Sequence, residues 1–142
     1  MKTLQQQQQQ TNLMTFISSN ANIRILLAED NLVNQLLIKK VIEKAGYILE
    51  LATNGLQVLE KLSHSQYDLI LMDVQMPDMN GLETTKEIIS RYADNRPKII
   101  AITAGSFGDD EKHCMEAGMD DTLEKPFKIE QLEEKLAKFK LI

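Results

Sequence analysis

Cysteine and histidine are scarce in this sequence: one Cys, at position 114, and two His among 142 residues. A lone thiol excludes a disulfide framework and any cysteine-based metal cluster. No apolar run approaches the roughly 18–20 residues of a membrane span. The N-terminus also lacks the charged-then-apolar layout of a signal peptide. Clustered Lys and Arg are missing too, and the net charge is −5. This argues against nucleic-acid binding through this chain, since phosphate contacts need grouped cations. These absences predict a reducing compartment, the cytoplasm, and no membrane contact by this segment. What is present is ordinary for a globular protein: 43% of residues are hydrophobic, enough for one domain with a proper core.

Residues 1–21 differ in character from the rest. A glutamine run from Gln5 to Gln10 and the polar, aperiodic stretch after it predict a disordered leader or linker with no part in the chemistry. Regular patterning starts at Ile23, so residues 22–142 are expected to form the domain. Segments 23–28, 47–52, 68–73 and 98–102, and a short one at 122–124, read as five strands. Between them, helices are predicted over Asn31–Ala45, Asn54–Leu62, 81–92 and Asp109–Ala117. A closing helix follows, with Ile129, Leu132, Leu136 and Phe139 on its apolar face. In the first helix, Val33, Leu37, Val41 and Ala45 form an i, i+4 stripe, with Ile38 and Ile42 beside it. Five strands alternating with five helices predict an α/β fold, an open doubly wound parallel sheet covered on both sides. Such sheets bind ligands beyond the carboxyl ends of their strands, where the strand order reverses.

The residues immediately after the strands are therefore the informative ones: Glu29 and Asp30, Asp73, Thr103 and Lys125. Singly each has an ordinary explanation. An acidic pair suits a helix N-terminus, Asp73 before Pro77 and Gly81 can cap a turn, Thr103 can end a strand, and Lys125 can be a surface lysine. Jointly they place three carboxylates in one crevice. Within about 5 Å, such charges repel by roughly 3 kcal/mol per pair at an effective dielectric of 20, and so demand a cation. Oxygen ligands without His or Cys suit a hard ion, Mg²⁺ before Ca²⁺. With that ion and Lys125 the pocket is formally neutral and ready for a phosphoryl group. Asp73, in a loop directly after a rigid buried strand, is the candidate nucleophile, able to form an acyl phosphate.

These residues, within "ILLAEDNLVNQLLIKKVIEKAGY" and "LILMDVQMPDMNGLE", resemble the receiver domain of two-component response regulators, of the kind attached to hybrid sensor histidine kinases. The resemblance covers about 120 residues, from Ile23 onward, and the intervals from Asp30 to Asp73, Thr103 and Lys125 suit the family. It implies a flavodoxin-like receiver fold and a phosphoacceptor role for Asp73 in a phosphorelay. It implies Mg²⁺ held by Glu29, Asp30, Asp73 and the backbone carbonyl of Gln75. Thr103 matches the switch hydroxyl, small Ala104 leaves a neighbouring amide accessible, and Lys125 matches the lysine that pairs with the phosphoryl group. Lys125-Pro126 resembles the family's cis peptide. The implied partners are a histidine kinase domain, a histidine phosphotransfer protein, or both. The chain would then be a regulatory module, not an enzyme with a separate substrate, either alone or as the cytoplasmic part of a larger membrane-bound kinase. One departure stands out: Thr122 occupies the position where receivers often carry a swinging Tyr or Phe.

Two other classes remain open at this level. An aspartyl-nucleophile, Mg²⁺-dependent phosphohydrolase commonly needs a second acid two residues after the nucleophile, where Gln75 stands. A phosphorylation-independent binding module would not be expected to keep the full set of acids, threonine and lysine. His64 and His113 read as solvated surface residues, Phe127 as a core anchor, and Met72 and Met76 as core or rim packing. Glu134 and Lys138 have the spacing of a helix-surface ion pair on a solvated face. Leu32, Val33 and Leu36, beside the acidic pair, are the candidate docking patch for a phosphodonor helix.

Overall fold

A computed structural model of the chain describes residues 22–105 and 109–142. The leader expected at residues 1–21 lies outside them. Strand β1 (Arg24–Ala28) leads to helix α1 (Leu32–Lys44), β2 (Ile48–Ala52), α2 (Gly55–His64) and β3 (Leu69–Asp73). Helix α3 (Gly81–Tyr92), a 3₁₀ turn (Ala93–Asn95), β4 (Lys98–Thr103), α4 (Asp109–Ala117), β5 (Asp121–Glu124) and α5 (Ile129–Lys138) follow. Element boundaries differ from the sequence reading by a residue or two, where helices fray and strand ends blur.

All neighbouring strands pair in parallel, in the order β2-β1-β3-β4-β5. Alternate side chains along each strand enter opposite layers. Ile25, Leu27, Leu69, Leu71, Ile100 and Ile102 pack against Ile38 and Ile42 of α1 and Leu132 and Leu136 of α5. On the other face, Leu26, Ile70, Met72, Ile99 and Ala101 meet Val58 and Leu59 of α2, Ile88 of α3 and Cys114 of α4. This two-sided cover explains why β3 reads as a continuous apolar run. Met76 and Phe127 pack against these two cores, as their positions suggested. Three helices begin at asparagine caps, Asn31, Asn54 and Asn80, each side chain accepting from the backbone N–H three residues on.

Two expectations are corrected. The Val33-Leu37-Val41 stripe of α1 does not face the sheet: Val33 is 62% exposed and Leu37 59%, whereas Gln35, Ile38 and Ile42 are buried. Both stripes have helical spacing. Gln35 masks the buried one because its amide is satisfied by donating to the Glu29 carbonyl at 2.5 Å. The anticipated Glu134–Lys138 pair also gives way to a tertiary contact. Lys138 and Lys135 both reach Asp121 at the start of β5, at 2.8 and 3.0 Å, and Glu133 accepts from the Tyr47 hydroxyl at 3.1 Å. A carboxylate on the sheet holds these lysines through tertiary packing that spacing along the helix does not show.

Candidate functional site

The strand order reverses between β1 and β3, and this junction brings the acidic residues together. Ala28 is paired with Met72, so Glu29 and Asp73 leave the sheet side by side. Asp73 is paired with Ile102 on the other side, which puts Thr103 one residue past it. Thr103 is level with Glu124, and the Lys125 N–H donates to the Thr103 carbonyl at 2.8 Å, so Lys125 begins its loop at the same edge. Ligand oxygens of Glu29, Asp30 and Asp73 lie within 4.8 Å of one another. The five strand-end residues thus share one crevice edge.

The turn after β3 keeps Asp73 at the mouth of this crevice. Its Oδ1 accepts from the Gln75 N–H at 3.1 Å, and the Gly81 N–H closes the loop on the Val74 carbonyl at 2.9 Å. A Cβ at Gly81 would sit 2.5 Å from the Asp73 carbonyl oxygen, so only glycine lets α3 start this close. The aspartate at the end of an apolar strand is therefore not a turn capper alone. It stands beside a buried glutamate and a lysine, with Lys125 Nζ 3.2 Å from Glu29 Oε2 and 3.5 Å from Asp73 Oδ2. Asp30 is exposed at the rim.

The electrostatics follow from this crowding. Burial pushes the Asp73 carboxyl up, its hydrogen bond and charge contact with Glu29 push it further, and it reaches about 7 despite Lys125. Burial also acts to raise Glu29, but hydrogen bonds from Asp73, Asn34 and Lys125 hold it below the ordinary range. The opposite shifts reflect two acids crowded against each other and one lysine. The donor set is all oxygen, with no His or Cys, and suits a hard divalent ion.

Two residues of this site escaped sequence reasoning. Asn34 Nδ2 donates to Glu29 Oε1 at 2.9 Å, and buried Gln35 secures the Glu29 backbone. The available sign was a pair of amide side chains in the first turns of the helix that follows the acidic residues. Thr122 is half-buried, level with Ala101 and two residues short of Thr103's partner Glu124. Lys125-Pro126 is a cis peptide. His64 and His113 are exposed on α2 and α4.

The sequence profile of the response regulator receiver domain matches residues 25–137, and the chain belongs to that family. It is a receiver module of two-component phosphorelay signalling, similar to those of hybrid sensor histidine kinases. Hybrid signal transduction histidine kinase K of Dictyostelium discoideum is 42% identical over 117 residues, covering 78% of this chain but 10% of the kinase. The chain thus spans only a small part of the length of such relatives. The receiver domain of a Pseudomonas aeruginosa PAO1 sensor histidine kinase, with a magnesium ion coordinated in its active site cleft, is 39% identical with a TM-score of 0.75. That match covers 83% of this chain and 97% of that one. The receiver domain of the Saccharomyces cerevisiae response regulator Ssk1, co-crystallised with the histidine phosphotransfer protein Ypd1, is 28% identical with a TM-score of 0.71. It covers 82% of this chain and 87% of that one. Among the described residues no helix is long and apolar enough to cross a membrane.

Proposed function

We propose that Asp73 is the phosphoacceptor of this receiver and takes its phosphoryl group from a phosphohistidine in a Mg²⁺-dependent reaction. One observation carries the assignment: a carboxylate at the end of a fully buried strand, within 4.8 Å of two other acids and 3.5 Å from a lysine. In this reading Glu29, Asp30, Asp73 and the Gln75 backbone carbonyl hold the ion. Bound Mg²⁺ supplies charge neutralisation for the phosphoryl oxygens. An Asp73 oxygen attacks phosphorus in line; the P–N bond to the donor imidazole breaks, its electrons stay on nitrogen, and an acyl phosphate forms. Lys125 moves from its carboxylate partners to the new phosphoryl oxygens, and the Thr103 hydroxyl donates to another. Attack by water, or by a second histidine, later empties the site.

The partner is a histidine kinase domain, a histidine phosphotransfer protein, or both, acting in the cytoplasm. Supporting a helical partner, Leu32, Val33 and Leu36 are 66%, 62% and 57% exposed on α1, directly beside the acids. An aspartyl phosphohydrolase reading lacks its second acid, since exposed Gln75 fills that place. The test is intact mass after incubation with acetyl phosphate and Mg²⁺. Wild type is expected to gain one phosphate, labile to hydroxylamine, and Asp73→Asn none. Undiminished labelling of Asp73→Asn would move the nucleophile elsewhere.

A further inference from the structure

Glu29 is the most enclosed acid of the site, and its two carboxylate oxygens have different neighbours. Oε1 accepts from the Asn34 side chain at 2.9 Å and from the Asn31 backbone N–H at 3.3 Å. Oε2 faces Lys125 at 3.2 Å, and the same Nζ lies 3.5 Å from Asp73 Oδ2. The helix therefore consumes one oxygen and leaves the other for the crevice. Asn34 is held in turn: its backbone N–H is bound at 3.0 Å by Asn31, the cap of α1, so the amide projects from a fixed helical turn. A side chain buried in this way cannot rotate freely, and Asn34 is the side chain that holds Oε1 toward the helix, beside the Asn31 N–H.

We propose that Asn34 is a positioning residue for the metal: it locks Glu29 so that a single oxygen is presented to Mg²⁺. This rests on the Mg²⁺-dependent reading above. Groups behind a metal ligand commonly govern affinity as strongly as the ligand's own identity, because they prepay its orientation. Asn34 also has a second neighbourhood. It walls a groove of about 280 Å³ with Leu37, Val41, Lys125, Pro126 and Phe127, next to the exposed apolar face of α1. The residue that orients the buried acid thus also borders the surface on which a partner helix would lie.

The measurement is calorimetric titration of the whole chain with Mg²⁺, for wild type, Asn34→Ala and Asn34→Leu, with Lys40→Ala on the same helix as control. Leucine preserves bulk and helix propensity without a donor, so an effect common to both variants belongs to the hydrogen bond. Both are expected to bind Mg²⁺ about tenfold more weakly, while Lys40→Ala binds as wild type. At saturating Mg²⁺, labelling by acetyl phosphate should return to within about twofold of wild type, since the acceptor, Thr103 and Lys125 are intact. Circular dichroism establishes that each variant is folded. Unchanged affinity in both variants, beside normal binding by wild type, would overturn the role of Asn34 alone. Failure of wild type itself to bind Mg²⁺ would overturn the metal reading and this inference with it.

Discussion

At Asp73, burial and the neighbouring Glu29 raise the carboxyl to about 7, well above an ordinary aspartate. The consequence for stability has a definite sign. A carboxyl whose pKa is raised by folding binds its proton more tightly in the native state than in the unfolded chain. Ionising it, between about pH 4 and 7, therefore erodes stability. Replacing it with a neutral isostere removes that penalty. Asp73→Asn also gives up the Lys125 contact, so it should stabilise the metal-free protein by about 1–2 kcal/mol at pH 7.5, and the gain should vanish toward pH 4. Urea unfolding at the two pH values measures it. Under the proposed metal binding, adding Mg²⁺ should shrink the advantage, because the ion would stabilise wild type through its native state.

Helix α1 shows how one element serves the core and the surface with different stripes. Ile42 is fully buried against the sheet, so Ile42→Ala should cost about 2–5 kcal/mol in urea unfolding. Leu36→Ala, on the exposed stripe, should change stability by no more than about 0.5 kcal/mol. It should slow phosphoryl transfer from a histidine phosphotransfer protein while leaving acetyl phosphate labelling at the wild-type rate. Equal transfer rates for Leu36→Ala and wild type would remove this face from docking. The element's existence and length were legible from its 3.6-residue period, but its rotation about its axis was not. Two stripes satisfied the period, and a glutamine bonded to a buried carbonyl held the position where an apolar residue was sought.

At the scale of the whole molecule, charges distant in sequence join neighbouring strands where they enter the sheet. Arg96, before β4, binds Asp120, before β5, with two hydrogen bonds of 2.8 and 3.0 Å, and the Asp120 carboxylate also accepts from Ile99 N–H. Burial acts to raise Asp120, yet these donors together hold it below the usual aspartate range. Here the sign is the reverse of Asp73: the stabilisation is present above about pH 4 and is lost as acid protonates the folded pair. Asp120→Ala leaves the partly buried Arg96 without its carboxylate and the Ile99 N–H without its acceptor, and should cost about 2–3 kcal/mol at neutral pH. In urea unfolding the loss should fade as the pH falls below 4.

The sequence by itself determined the alternation of strands and helices, the parallel two-sided sheet and the five residues at its carboxyl edge. Each of these follows from local periodicity or from the topological rule that places ligands beyond strand ends. Glu29, Asp30, Asp73, Thr103 and Lys125 were readable because each stands at or just beyond the end of a predicted strand. Only the tertiary structure decided which face of α1 is solvent, that Lys135 and Lys138 grip Asp121, and that Asn34 and Gln35 stand behind Glu29. Those are contacts between side chains whose spacing carries no periodic mark. They depend on how the helix is rotated and seated against its neighbours, a choice that emerges only once the sheet exists to pack on.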